Sequence, residues 1–195
     1  MLNALLKMYL TILPLSLSGI VNMFFTKTQF YKNHNRPIDN HRNWKDGKRI
    51  FGDNKTWIGF ISMIVISIII HVIVGACIDM LHINHMSELY LLCDNTVLYN
   101  LIFGLLAGFL YMIAELPNSF IKRRLDIASG KTDKGIKGVI FFIIDQIDSL
   151  VGIAFLFCII AKISVWKAVQ YIILGAITHI GINLVLYALK IRKNI

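Results

Sequence analysis

The sequence predicts an all-α integral membrane protein with five transmembrane helices. Three observations carry that reading: 56% of the 195 residues are hydrophobic, only 16% are charged, and the mean hydropathy is +0.66. Soluble domains carry roughly 25% charged and about 45–50% apolar residues. The composition therefore excludes a soluble enzyme, a disordered chain and a disulfide scaffold. No internal repeat or low-complexity run divides the chain, so residues 1–195 read as a single transmembrane unit.

A helix needs ~20 apolar residues to cross a ~30 Å hydrocarbon core. Met8 to Thr26 gives 19 uncharged residues between Lys7 and Lys27. Ser16 to Gly19 resemble a signal-peptide cleavage site, but apolar residues continue through Phe24 and Phe25, so the segment reads as a span. Trp57 to Ile78 gives 22 uncharged residues and Asn95 to Ala114 gives 20. Pro117 is expected to stop that third span just after Glu115, because proline disfavours helix in the residue before it. The fourth span, Val139 to Ala161, carries Asp145 and Asp148, and the fifth runs from Ala168 to Leu189.

Loop charges set the expected orientation. Segment 26–56 holds Lys27, Lys32, Arg36, Arg42, Lys45, Lys48, Arg49 and Lys55; segment 117–138 holds Lys122, Arg123, Arg124, Lys131, Lys134 and Lys137. The tail adds Lys190, Arg192 and Lys193, whereas the loop 79–96 has no Lys or Arg but three acids, Asp79, Glu88 and Asp94. Summed over alternate sides, the Lys and Arg count is 17 against 3. Positive residues stay in the cytoplasm. Both long basic loops and the carboxyl terminus are thus expected inside, and the amino terminus outside. The fit is to a multi-pass protein of the cell membrane whose active site faces the cytoplasm.

Asp145 and Asp148 stand out because a carboxylate inside hydrocarbon costs on the order of 2.5–3.5 kcal/mol. Their i, i+3 spacing puts both on one helical face. The helix dipole favours acids near an amino end, but that effect fades within the first turn, and these two lie deeper. Two oxygens from one face, joined by phosphate oxygens and water, are what Mg²⁺ takes in phosphate chemistry. Glu115 and Asp126 approach from the other end of the same loop.

Two loop constellations accompany the pair. In the first, Pro37-Ile38-Asp39 precedes Asp46 to Trp57; Gly47 and Gly52 permit close backbone approach, and Arg49, Lys55 and Thr56 offer donors to phosphate oxygens. Lys55-Thr56 falls where the second span begins, and helix amino termini bind anions. The Walker A spacing is absent. In the second, Glu115 to Asp126 contains three consecutive cations, Lys122, Arg123 and Arg124, suited either to anionic headgroups or to a lipid phosphate. Cys77, Cys93 and Cys158 show no Cys-x-x-Cys spacing. His71 and His179 lie within spans; lone histidines there are more often bonded to a neighbour than part of a proton path.

Asp-Gly-x-Arg-x-x-Gly-x-x-Lys-Thr-Trp-x-Gly (Asp46 to Gly59), Glu-Leu-Pro-Asn-Ser-Phe-x-Lys-Arg (Glu115 to Arg123) and Asp-x-x-Asp (Asp145, Asp148) together resemble the CDP-archaeol synthase family. The likeness covers nearly the whole chain. More distantly the chain resembles phosphatidate cytidylyltransferases, through Ser119 to Arg123 and Asp145 to Ser149. Gln146 stands where that signature has arginine, and its Lys-Asp and His-Gly-Gly elements are missing, which favours the archaeol-type branch.

The resemblance implies a five-span cytidylyltransferase that moves CMP from CTP to an archaetidic-acid-type lipid phosphate and releases pyrophosphate. It implies Mg²⁺ on Asp145 and Asp148, with Glu115 either a further metal contact or an acid shielding Lys122. Asp46, Arg49, Gly52, Lys55 and Thr56 then belong to the nucleotide. Lys122 and Arg123 would hold the lipid phosphate, and Asn118 and Ser119 would orient one of the two substrates. The partners implied are CTP, a membrane lipid phosphate and the bilayer, with no nucleic acid. Gly75 with Ala76 and Gly152 with Ala154 suit close helix packing within one chain or in a homodimer.

Rival readings are a phosphatidate cytidylyltransferase acting on diacyl lipid, a CDP-alcohol phosphotransferase, a small transporter and a scaffold. The phosphotransferase motif needs Asp-Gly-x-x-Ala-Arg, whereas Asp46-Gly47 runs directly into Lys48-Arg49. Transporters more often show inverted repeats and broken spans, and a scaffold leaves the two aspartates unexplained.

Overall fold

The computed structural model describes residues 2–131, 133 and 135–188; Lys134, Leu189 and the tail cations Lys190, Arg192 and Lys193 lie outside the described residues. In chain order the helices are α1 (Leu2–Phe25), α2 (Gln29–His34), α3 (Trp57–Met80), α4 (Val97–Arg124), α5 (Gly135–Ile160) and α6 (Val165–Ala188). All but α2 are long and apolar enough to cross a membrane. Among the described residues there is no strand, only two isolated antiparallel bridges inside the first basic loop.

Local chemistry explains where the helices start. Thr28, Thr56 and Thr96 each precede a helix and accept a hydrogen bond from the amide three residues on, that of Tyr31, Gly59 or Tyr99. Such caps satisfy an amide that the helix itself leaves without a partner. Ser18 Oγ in α1 donates to the Pro14 carbonyl at 2.7 Å, a local bond beside a proline that the helix absorbs.

Pro117 does not end the third span. α4 passes through it to Arg124, contrary to the sequence expectation. Proline removes one ladder hydrogen bond, a loss that bilayer helices tolerate when neighbouring groups hold the segment. Here Asn118 and Lys122, one turn apart beyond the proline, are fastened to aspartates of α5. α5 also begins earlier than the span expected from Val139, at Gly135, so Asp145 and Asp148 are 10 and 13 residues into it, roughly 15–20 Å along the axis at ~1.5 Å per residue.

Glycines set the spacing of the bundle. A Cβ on Gly104 would sit 2.7 Å from Ile68 Cα, and one on Gly108 would sit 2.7 Å from Ile64 Cα. This i, i+4 pair of small residues presses α4 against α3. Gly152 does the same for α5 against Leu110 and Ala114 of α4, and Gly175 for α6 against Leu150 of α5. Gly75 faces Asn100 of α4, so the small residues singled out in the sequence are spent within the chain, apart from exposed Ala76. Met63, Phe103, Phe157 and Tyr171 fill the centre; the Phe157 and Tyr171 rings meet edge to face with centroids 5.1 Å apart.

The acid-bearing loop 79–96 closes one end of the bundle. Its Glu88 is buried, takes a 2.5 Å ion pair from Lys167 of α6, and donates its amide to Thr11 Oγ1 of α1. All three cysteines are free. Replacing Gly108 with alanine should lower the unfolding free energy in detergent by about 1–3 kcal/mol, since the Cβ meets backbone. Gly181→Ala, which meets nothing within 4 Å, should be neutral or stabilise by up to about 1 kcal/mol. Thermal unfolding of both variants checks the contrast.

Candidate active site

The two basic loops converge at the other end of the bundle and lock together. Lys48 Nζ donates to the Arg124 carbonyl at 2.9 Å and to Asp126 at 2.8 Å, while Arg124 Nε pairs with Asp46 at 2.7 Å. The Arg124 guanidinium also lies over the Phe120 ring, 4.2 Å from its centroid, and Phe120 packs against Trp44. Asp46 therefore clamps one loop to the other and lies outside the cavities described below. The three consecutive cations separate: Arg124 faces the first loop, Arg123 Nη1 donates to Ser129 Oγ at 3.0 Å, and Lys122 turns inward.

The first loop is wound around Asp39. This buried carboxylate accepts from Arg49 at 2.8 and 3.2 Å, from the amides of Phe51 and Gly52 at 3.0 and 2.9 Å, and from the His41 amide at 3.1 Å. Burial alone would push its pKa up. The hydrogen bonds from Arg49 and from the Gly52 and Phe51 amides outweigh that and hold it far below the usual carboxylate range. Arg49 also pairs with Asp53 at 2.9 Å. Arg49 and the Gly52 amide, expected on the nucleotide, are thus committed to building the loop. Gly52 has φ +101° and no room for a side chain beside Ser129 and Arg123.

Lys55 and Thr56 part company. Thr56 is buried, capping α3 and bonded to the Tyr31 hydroxyl at 2.8 Å. Lys55 ion-pairs with Glu115. Burial would depress the Lys55 ammonium, but the adjacent Glu115, and then Asp148 and Asp145, raise its pKa above the ordinary lysine value. Glu115 accordingly shields a lysine, but that lysine is Lys55 and not Lys122. Among the described residues no three His, Cys, Asp or Glu side chains gather into a metal cluster.

Asp145 and Asp148 are bridged by one amide. Asn118 Nδ2 donates to Asp145 Oδ1 and to Asp148 Oδ2, both at 2.7 Å. Lys122 Nζ reaches Asp145 at 2.5 Å, and the Ser149 amide donates to Asp148 Oδ1 at 2.7 Å. Asn118 Oδ1 is buried and has no hydrogen-bond partner among the described residues.

These groups line a cavity of about 510 Å³ bounded by Lys55, Glu115, Ser119, Lys122, Arg123 and the two aspartates. A second cavity of about 430 Å³ lies among α1, α3, α4, α5 and α6, with Leu15, Ile20, Met63, Met112, Leu150 and Ile182 on its walls. Asn54, Glu115, His179 and Asn183 line both. Sequence reasoning gave Asp39 no role of its own and passed over Asn54 and Asn183. A polar i, i+4 pair, His179 and Asn183, in an otherwise apolar span was the available signal for one face of α6.

Asp39→Ala should cost about 1–3 kcal/mol of loop stability by stranding three amides and Arg49. Faster amide hydrogen exchange across residues 36–56 would register it. Because the folded Asp39 pKa is depressed, its contribution is complete above the unfolded value of about 3.9 and fades only as pH falls below that. Exchange protection of Phe51 and Gly52, corrected for the intrinsic pH effect, should therefore be level from pH 7 to about 5.

The CarS-like CDP-archaeol synthase family model matches residues 1–195. The CDP-archaeol synthase of Sulfurisphaera tokodaii is 28% identical over 166 residues, spanning 84% of this chain and 83% of that one. The CDP-archaeol synthase of Thermococcus gammatolerans is 32% identical over 154 residues, 78% and 77% of the two chains. A solved structure described as an intramembrane enzyme for archaeal membrane lipids biosynthesis shares the fold, with TM-score 0.61 and 18% identity over 90% of this chain and 92% of the other. Five long apolar helices, interlocked basic loops and a carboxylate pair facing a lysine-lined cavity accompany a family match from first residue to last: the chain belongs to the CDP-archaeol synthase family.

Proposed function

We propose that the polar cavity is where this chain performs the reaction of its family, transfer of CMP from CTP to an archaeol-type lipid phosphate with release of pyrophosphate. The observation that carries the assignment is one amide nitrogen bonded to two carboxylates deep in a bundle of apolar helices, with Lys122 beside it and Lys55 and Arg123 on the same cavity. Anionic and cationic groups so close suit a polyanion with its counter-cation.

Mg²⁺ fits these residues. The donor set is all oxygen, Asp145 and Asp148 hold an oxygen each against one small group, and the buried Asn118 Oδ1 lacks a partner among the described residues. Mg²⁺ is usually held by one or two carboxylates and completes its shell with water and phosphate. Asp145 and Asp148 would hold the ion, which when bound neutralises charge on the triphosphate.

The chain's own work is positioning. Lys55, released from Glu115, and Lys122, released from Asp145, bind triphosphate oxygens, and Arg123 holds the outer rim with Ser129. This differs from the sequence reading, which gave Lys122 and Arg123 to the lipid; both line the polar cavity and neither lines the apolar one. The apolar cavity takes the acceptor's chains. An acceptor phosphate oxygen then attacks the α-phosphorus in line, and pyrophosphate departs on the opposite side into the polar cavity. The loop-charge asymmetry supports a cytoplasmic opening in the cell membrane for that cavity.

Asp148→Asn should cut CMP transfer by about a hundredfold or more in an assay of CTP, Mg²⁺ and lipid phosphate in detergent; near-parental activity would remove Asp148 from the site. Lys55→Ala should raise the KM for CTP about tenfold and shrink the rise in melting temperature given by CTP with Mg²⁺.

A further inference from the structure

α6 brings a second set of polar groups to the site. Gly175, His179 and Asn183 follow one another at i, i+4 and i+8 and so share a helical face. Gly175 lets that face close on α5, since a Cβ there would lie 2.8 Å from Leu150 Cδ2. Asn183 is buried and its Nδ2 donates to Gln146 Oε1 at 3.3 Å. Gln146 and Leu150 are themselves one turn apart on α5 and turn toward α6, whereas Asp145 and Asp148 turn toward α4. The result is a wall, shared by both cavities, to which α6 contributes His179 and Asn183.

The chemistry of that wall is selective. Its one carboxylate, Glu115, is paired with Lys55, and its other groups, Asn54, His179 and Asn183, all carry N–H donors. Thr178, the neighbouring polar residue on the apolar cavity, spends its hydroxyl on the Leu174 carbonyl at 2.7 Å. Polar side chains inside a bilayer helix are costly and tend to mark function.

We infer that His179 and Asn183 receive the phosphate of the acceptor lipid at the junction of the two cavities and aim its oxygen at the nucleotide. The inference rests on the two-cavity reading given above and adds a residue set to it. The imidazole N–H and the Asn183 amide donate to non-attacking phosphate oxygens, with Gln146 orienting the amide. The attacking oxygen forms its bond to the α-phosphorus as the bond from that phosphorus to the bridging oxygen breaks. Pyrophosphate carries the electron pair away, and no other reactant is needed.

The test uses the full chain in detergent with His179→Ala, His179→Gln and Asn183→Ala, CTP with Mg²⁺, and graded lipid phosphate. The KM for the lipid phosphate should rise about tenfold, about 1.4 kcal/mol, in each alanine variant. His179→Gln, which keeps an N–H donor, should recover part of the loss. The stabilisation by CTP and Mg²⁺, measured as a melting-temperature shift without lipid, should stay at the parental value, a split that a merely structural defect would not give. A lipid KM within twofold of the parent in both alanine variants overturns the inference, as does loss of the CTP shift in parallel with the lipid effect. If an alanine variant fails to fold, His179→Gln decides through the same pair of readouts. Retained CMP transfer in Asp148→Asn would instead sink the polar-cavity reading, so the two failures are distinguishable.

Discussion

Charge inside hydrocarbon needs a partner, and the arrangement of partners between α4 and α5 is the constraint on which the rest of this protein depends. An unpaired carboxylate at that depth is expensive, and breaking a buried pair is worse than never making it. Asp145 has Lys122 and Asn118, Asp148 has Asn118 and the Ser149 amide, and Glu115 has Lys55. Every one of these contacts joins two elements except the Ser149 bond. The same set that makes the charges tolerable therefore fixes the rotation of α4 against α5 and pins the end of the first loop to α4.

Glycine determines how close the helices come, and the polar pairs determine how they are turned. Gly104 and Gly108 bring α4 onto α3, Gly152 brings α5 onto α4, and Gly175 brings α6 onto α5. Bilayer association gains little from hydrophobicity and much from close backbone contact and a few directed hydrogen bonds. α1 meets α6 over only a short stretch, and the apolar cavity lies in the space this leaves. The polar cavity, by contrast, is ringed by elements that the ion pairs hold together.

The five spans, the carboxylate pair and the grouping of cations in two loops were legible in the sequence because hydropathy and charge are local properties. What each cation holds was not. Arg49, Asp46 and Thr56 sit in a phosphate-like pattern, yet Asp39, Arg124 and Tyr31 occupy them. Those partners lie 10, 78 and 25 residues away, and nothing in spacing alone announces them. Pro117 misled for a related reason. A local rule about proline competes with tertiary bonds from Asn118 and Lys122 to α5, and the tertiary bonds prevail. Glu115 was read either as a metal contact or as an acid beside Lys122, since one motif carries Lys122 close by in sequence, whereas the fold brings Lys55 close in space.

The apolar cavity has an energetic consequence for an acceptor docked there. Lifting a lipid chain into water costs about 0.8 kcal/mol for each methylene exposed, which for two long tails would exceed anything a headgroup contact returns. On the proposed reading, a chamber walled by α1 and α6 spares that expense, because the tails would stay among apolar side chains while only the phosphate would cross into the polar compartment. Encounter would then be a two-dimensional search within the leaflet, governed by surface density and not by the vanishing aqueous solubility of the amphiphile.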